Sequence, residues 1–299
     1  MGLDCRLSTP MVRALVILTL VSLNVALWGG LILLCGPIKL LTPVGARRRV
    51  ILLLGWMGDR WARGNQWIFA RFLSTTWEIT GAEEFRKDAR YLIISNHISW
   101  IDVFVVLRAF RDAPFIRFFL KRGLLWFPIA GQACWALEFP FMRRYSAEYL
   151  EKYPERRGLD LETTRIACQR YSRLPVSILN FVEGTRFSRE KHETQDSPWK
   201  HLLRPRIGGI AFVLASLAEQ LDALYDVTII YPEGDVTVWR FVTNRVPLIR
   251  AEVRRIEIPA AFRSAAIIEA GPAREAFKTW FNTIWAEKDA LIEAASDSR

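Results

Sequence analysis

An imidazole and a carboxylate five positions apart, His97 and Asp102 in Ser95-Asn96-His97-Ile98-Ser99-Trp100-Ile101-Asp102, are the pair in this chain best suited to moving a proton. On one continuous helix a five-residue offset leaves two side chains about 140° apart, so the pair meets only if the backbone turns between them. The segment follows an apolar run and opens an amphipathic one, which predicts a strand-to-helix elbow that supplies the turn. Asp102 then fixes the imidazole tautomer, and the other ring nitrogen is free to take a proton from a hydroxyl. Ser99-x-x-Asp102 also fits a capping box, and the two roles are compatible.

A second constellation, Glu183-Gly184-Thr185-Arg186, ends the apolar run Val176 to Val182. Gly184 allows close approach of backbone, Thr185 adds a hydroxyl and Arg186 offers a planar fork to phosphate. Glu183 can hold that arginine or a substrate hydroxyl. The bland alternative is a turn with a surface ion pair worth about 0–1 kcal/mol. Two more strand ends carry candidates, Phe141-Met142-Arg143-Arg144 and Tyr231-Pro232-Glu233-Gly234, where the arginines could be solvated and Pro232 a strand terminator.

Other chemistries are poorly supported. The four cysteines, Cys5, Cys35, Cys134 and Cys168, form no C-x-x-C pair and are read as reduced. The three histidines show no H-x-x-x-H spacing, so no metal is expected. His192 and His201 fall in a long polar stretch, Ser188 to Arg206, and are left out of the site. Without G-x-S-x-G or a Walker lysine, a covalent acyl-enzyme or phosphoryl transfer is not indicated.

These groups need elements to hold them. From about residue 81 short apolar runs alternate with amphipathic stretches, the pattern of an α/β fold. The expectation is a single mixed sheet of about seven strands flanked by helices: Tyr91 to Ser95, Phe115 to Leu120, Cys134 to Phe139, Val176 to Val182, Val227 to Tyr231, Val236 to Phe241 and Val253 to Ile258. Helical stripes follow at Ile210, Val213, Leu214, Leu217 and Leu221, and at Phe277, Phe281, Ile284 and Leu291. Arg143 to Arg173 reads as solvated helix and Ala294 to Arg299 as a frayed end.

The front of the chain differs. Ala14 to Cys35 is 22 residues without a charge, enough as a helix to cross a hydrocarbon core of about 30 Å. Gly36-Pro37-Ile38-Lys39 follows in place of a small-residue cleavage site, which favours an uncleaved anchor. Lys39 and Arg47 to Arg49 outnumber Arg6 and Arg13, so the positive-inside bias puts the bulk of the chain in the cytoplasm. A re-entrant or monotopic helix pair satisfies the same pattern, because Val50 to Trp77 reads as an interfacial amphipathic segment rich in Trp and Arg. Two regions result: membrane-anchoring helices over 1–80 and an α/β domain over 81–299.

Apolar residues make up 51% of the 299 and the net charge is +10, which excludes a disordered tail and favours anionic partners. No basic and aromatic nucleic-acid module is present, so no nucleic acid is expected.

In order along the chain, the set resembles the glycerolipid acyltransferase family that includes 1-acylglycerol-3-phosphate acyltransferases. Asn96-His97 with Asp102 looks like its first block, Phe141 to Arg144 its second, Glu183 to Arg186 its third and Ile230 to Pro232 its fourth. Two departures stand out: Glu138 occupies the glycine position of the second block's G-x-x-F-x-x-R form, and Glu233 follows Pro232. The runs Glu183 to Ser188 and Pro205-Arg206-Ile207-Gly208-Gly209 are similar to a bacterial branch of inner-membrane lysophospholipid acyltransferases. The resemblance implies that His97 is the general base, Asp102 its orienting partner, and Arg144, Glu183 and Arg186, with Gly184 and Thr185, the binding site for the acceptor's phosphate. It further implies transfer of a fatty acyl group to a lysophospholipid hydroxyl in phospholipid biosynthesis or remodelling, at a cell inner membrane, on the cytoplasmic side. No cofactor is expected beyond acyl-CoA or acyl carrier protein as co-substrate, and membrane phospholipids are the expected surroundings. The rival reading is a non-catalytic, membrane-tethered lipid-binding protein that retains the same pocket.

Overall fold

The computed structural model describes residues 9–82, 84–142, 152–153, 159–172, 174–217, 219–234 and 236–297. Its centre is a six-stranded mixed sheet in the order β1-β8-β7-β2-β6-β3. The strands are β1 (Thr76–Thr80), β2 (Arg90–Ser95), β3 (Ile116–Phe118), β6 (Val176–Phe181), β7 (Ala223–Ile230) and β8 (Leu248–Ile256). Neighbours pair in parallel except β7 with β8. Two short strands, β4 (Leu120–Lys121) and β5 (Phe141–Met142), form a separate parallel ladder.

Helices cover both faces, and the strand sequences show why. In β2, Tyr91 and Ile93 enter one core cluster while Leu92 and Ile94 enter the other. A strand apolar on both sides belongs at the centre of a parallel sheet, where neither face meets water. One face is closed by α1 (Pro10–Cys35), α3 (Val44–Phe72) and α4 (Asp102–Ala109). The other is closed by α6 (Leu159–Tyr171), α8 (Ile207–Leu217) and α10 (Pro272–Asp297). Three short helices complete the set: α2 (Ile38–Leu41), α5 (Ala130–Ala136) and α7 (Arg189–Gln195), with the single turn α9 (Val238–Val242) near the sheet edge.

Several strand expectations are corrected. Cys134 to Phe139 is not a strand: its front half belongs to α5, where Ala133, Ala136 and Leu137 form a small face against α1 and α3. The repeat of small residues outweighs the β propensity of Cys134 and Trp135. Val236 to Phe241 turns into α9, because the Thr237 hydroxyl accepts from the Arg240 amide and caps a helix. Phe115 to Leu120 divides into β3 and β4. Thr76–Thr80, of which only Thr76 and Trp77 were placed in the amphipathic segment Val50 to Trp77, is edge strand β1, with Trp77 and Ile79 facing inward. The sheet therefore starts ahead of residue 81, and among the described residues it has six strands, with a separate two-stranded ladder. Of the expected frayed end, Ala294 to Arg299, the described residues 294–297 are helical, since α10 continues to Asp297.

The front helices pack on the body. Trp28 meets Trp56 edge-on at 5.8 Å, and Asn24 donates to the Trp61 carbonyl and to Asn65 Oδ1, so α1 and α3 run antiparallel. Gly64 makes room for this contact: a Cβ there would lie 2.6 Å from Asn24 Oδ1. Ala14, Ile17, Ile68 and Phe69 join the sheet's core cluster. Met11, Leu15, Leu18, Leu23, Leu27, Leu31 and Leu34 remain exposed as an apolar stripe along α1. This is the one helix, among the described residues, long and apolar enough to cross a membrane.

Glu138 adopts φ +65°, the left-handed region that favours glycine, which gives a physical reason for glycine at this position of the second block. Here the side chain reaches Lys39 at 3.6 Å, and both groups are about nine-tenths buried. Glu138→Gly relieves backbone strain of about 1 kcal/mol but leaves the Lys39 ammonium without its carboxylate, a larger cost. The variant is expected to be about 1–3 kcal/mol less stable in urea unfolding of the detergent-solubilised protein.

Candidate active site

The carboxyl ends of the three central parallel strands, β2, β6 and β7, bring the singled-out residues together, at the edge where open α/β sheets place ligands. The chain leaves β2 at Ser95, bends through residues 96–101 and enters α4 at Asp102. The bend is pinned by Asn96, fully buried, whose side-chain amide donates to the Ile229 carbonyl at 2.9 Å and whose Oδ1 accepts from the Ile229 amide at 2.8 Å. That exchange imitates a rung of sheet ladder beyond the end of β2.

Within the bend His97 Nδ1 lies 2.8 Å from Asp102 Oδ2. The same oxygen accepts from the amides of Ile98 at 2.6 Å and Ser99 at 2.9 Å. The Ser99 amide bond is one half of the expected capping box; the Ser99 hydroxyl instead accepts from the Ile101 amide. His97 is held flat against Phe181, with ring centroids 4.1 Å apart and planes 17° from parallel. Asp102 is completely buried and His97 keeps 18% of its side chain exposed, so the ring can present Nε2 to a groove.

The third block returns to the first. Gly184, at φ +71°, closes a turn whose amide donates to the Phe181 carbonyl, and the Phe187 amide donates to the His97 carbonyl at 2.7 Å. Arg186 is exposed and lies over the Trp100 ring, 5.1 Å from its centroid. Thr185 accepts from Lys191 Nζ at 2.9 Å, and the same ammonium reaches the Arg186 carbonyl, so α7 braces the loop from behind. Lys191 was not singled out in the sequence, because a lysine in a polar stretch carries no signal of its partner.

Glu183 requires a correction. Expected among the substrate-binding residues, it is only 1% exposed, and the Arg186 guanidinium lies over the Trp100 ring rather than against this carboxyl. Burial, and then the nearby Asp102 charge, push its carboxyl well above the ordinary value of 4.5, against the pull of Lys288 and of the His97 and Leu203 backbone. A carboxyl raised in the folded state contributes its stability in full below about pH 4.5, where both states are protonated, and loses it as pH rises toward the folded value. Glu183→Gln, a mimic of the neutral acid, is therefore expected to gain Tm relative to the parent protein progressively as pH is raised from 5 to 8. A gap in Tm that stays constant with pH would show that Glu183 does not bind extra protons in the fold.

Arg144, with Arg143, lies outside the described residues. Beside the dyad runs a groove of about 1000 Å³ lined by Trp100, Arg186, Arg189, Tyr231 and Val238. His192 and His201, set aside from the sequence, also line it, but His192 bonds the Trp199 carbonyl and His201 pairs with Glu293. A smaller pocket of about 180 Å³ on the other side of Gly184 is lined by Asn180, Arg206, Gly208 and Gly209. Cys134 and Cys168 are free thiols pushed up to about 12 by burial, and so are weak nucleophiles.

Two functional side chains escaped the sequence reading. Tyr231 was noted at a strand end before a turn and within the fourth block, without a role, yet its hydroxyl donates to Asp102 Oδ1 at 2.6 Å. Lys288, inside the final helix, is fully buried and lies 2.8 Å from Asp226 Oδ1. Both depend on contacts across more than 60 residues of chain, which no local pattern announces.

Comparison with known proteins places the chain in a family. The chain is 24% identical over 260 residues to 1-acyl-sn-glycerol-3-phosphate acyltransferase 3 of Arabidopsis thaliana, a match covering 81% of this chain and 61% of the relative. It is 24% identical over 274 residues to lysocardiolipin acyltransferase 1 of Danio rerio, covering 86% and 64%. The chain thus spans about six-tenths of the length of these relatives. The crystal structure of the 1-acyl-sn-glycerophosphate (LPA) acyltransferase PlsC from Thermotoga maritima superposes with a TM-score of 0.53 at 13% identity, covering 95% of this chain and 96% of that one, and so shares the fold. The family model described as Acyltransferase matches residues 76–232, from the first strand of the sheet through the fourth block, and on that match the chain belongs to the acyltransferase family.

Proposed function

We propose that this protein moves a fatty acyl group from an acyl thioester to the free hydroxyl of a lysophospholipid such as 1-acylglycerol-3-phosphate. The observation that carries the reading is the His97 to Asp102 contact, in a bend whose next residues, Ile98 to Trp100, line a groove together with Arg186. In the proposed step the lysolipid oxygen attacks the thioester carbonyl carbon while His97 Nε2 takes the hydroxyl proton. Asp102 holds the imidazolium that results. The C–S bond then breaks, and the departing thiolate receives the proton back from His97, leaving an ester and a free thiol. Such a base contributes about 10²–10⁴ in rate. The reaction needs no covalent enzyme intermediate.

Arg186, stacked on Trp100, is suited to hold the acceptor's phosphate, and Arg206 beside the smaller pocket adds a second guanidinium on that side. Arg144 is proposed in the same role from the resemblance of the second block. Gly184 and Thr185 shape the loop that carries Arg186, and Glu183 is buried at its base.

The apolar stripe of α1, with exposed Trp126 and Phe127, supports docking of the protein at a lipid surface, as a single span or a monotopic hairpin with α3. The charge bias around α1 supports a cytoplasmic face, and the resemblance of Glu183 to Ser188 supports a bacterial inner membrane. The test offers purified protein both acyl-CoA and acyl carrier protein thioesters with a panel of lysophospholipids. Thiol release that depends on one class of acceptor supports the reading. Lipid binding without release of thiol from any donor contradicts it.

A further inference from the structure

We propose that Tyr231 is a positioning residue for the dyad, its hydroxyl occupying the Asp102 oxygen that His97 leaves free and so lowering the basicity of His97. The inference rests on the reading of His97 as general base. Tyr231 follows directly on β7, and the Asn96 to Ile229 exchange locks that strand end to the residue before His97. The two partners of Asp102 are therefore set by one rigid junction. Asp102 Oδ2 accepts from His97 and two amides, whereas Oδ1 accepts from Tyr231 at 2.6 Å. Tyr231 is 6% exposed, so the bond is made out of water, where a donor to a carboxylate withdraws charge most effectively.

The consequence for the base has a definite sign. Charge drawn to Oδ1 is charge not available at Oδ2, so the imidazolium is stabilised less and surrenders its proton more readily to the departing thiolate. Burial, and then the Asp102 charge, push the Tyr231 phenol well above its ordinary value, so it stays a donor across the working range. The other charged groups facing this junction are Glu183 beneath Asp102, Lys288 acting on Glu183, and Arg186, Arg189 and His192 across the groove. Removing the phenol leaves all of these in place.

The test compares three proteins in the same detergent: the parent, Tyr231→Phe and His97→Ala. Tyr231→Phe is expected to move the acid limb of kcat/KM upward by about 0.5–1 pH unit, lower kcat at pH 7 about 3–10-fold, and leave KM for the lysolipid within about twofold. Site-specific 3-fluorotyrosine at 231, a stronger donor of nearly the same volume, is expected to move the limb downward. It also supplies the test should the phenylalanine variant fail to fold. Titration of the His97 ring by 15N-histidine NMR is expected to report the same two shifts without turnover. An acid limb and a ring titration that stay in place in both variants, with activity following only the amount of folded protein, would overturn the proposal. If the parent turns over and His97→Ala does not, that outcome leaves the acyl-transfer reading intact; if the parent shows no transfer at all, that reading fails whatever the ring titration shows.

Discussion

Asp102→Asn is expected to lower acyl transfer by about 10²–10⁴-fold, nearly as far as His97→Ala, with the fold retained. The reason lies in which nitrogen carries the proton. Asp102 Oδ2 lies 2.8 Å from His97 Nδ1, and a carboxylate at that distance favours the tautomer with its proton on Nδ1 and a lone pair on Nε2. An asparagine amide can present its NH₂ group to Nδ1 instead, fixing the tautomer in which Nε2 already holds a proton and cannot take one. Residues that act as a unit are not additive, so the double variant His97→Ala/Asp102→Asn is expected to be no slower than His97→Ala alone. Steady-state thiol release from the four proteins, with Tm recorded alongside, measures this. Losses that multiply in the double variant would mean that the two residues act separately.

The second large effect is on stability. Asp226 on β7 and Lys288 on α10 form an ion pair in which neither side chain is exposed, and Lys288 also donates to the Val227 carbonyl and Thr228. Arg254 Nη2 holds the other Asp226 oxygen at 3.0 Å. Breaking a buried pair by removing one partner costs about 3–5 kcal/mol, because the other charge is stranded. The two halves are not equivalent. Lys288→Met leaves Asp226 with Arg254, whereas Asp226→Asn strands an ammonium in the core. Asp226→Asn is therefore expected to lose the full 3–5 kcal/mol, about twice the loss from Lys288→Met, in denaturant unfolding followed by circular dichroism. Equal losses would show that Arg254 does not compensate Asp226. Because Lys288 also draws the Glu183 carboxyl toward ionisation, its removal is expected to push that group further upward.

The parts of this molecule legible in the sequence share a property: the determining residues are close in the chain. Tyr91 to Ser95 and Val176 to Val182 read as strands because each is a short, almost wholly apolar run, and the structure puts both at the centre of the sheet, covered on both faces. The elbow at His97 was legible because a strand pattern stops and a helix pattern starts within six residues. Thr76–Thr80 was not, since an edge strand with alternating exposure is short and joins directly onto the aromatic-rich helix before it. Cys134 to Phe139 misled because its helix exists through contacts of Ala133 and Ala136 with distant α1. At the site, its place at a strand end beside Arg186 and the resemblance of that run to the third block made Glu183 look like a ligand-facing acid. Its burial beneath the third-block loop is a tertiary fact, as is the arrival of Tyr231 behind Asp102.

The account depends most on His97 acting as the base for transfer to a lipid hydroxyl. The direct measurement is thiol release from an acyl thioester by the parent protein and by His97→Ala, each in vesicles with and without lysophospholipid, with matched Tm values. The account predicts release from the parent only when lysophospholipid is present, and release from the variant about 10²–10⁴-fold slower. A folded His97→Ala protein that releases thiol at close to the parent rate would contradict it.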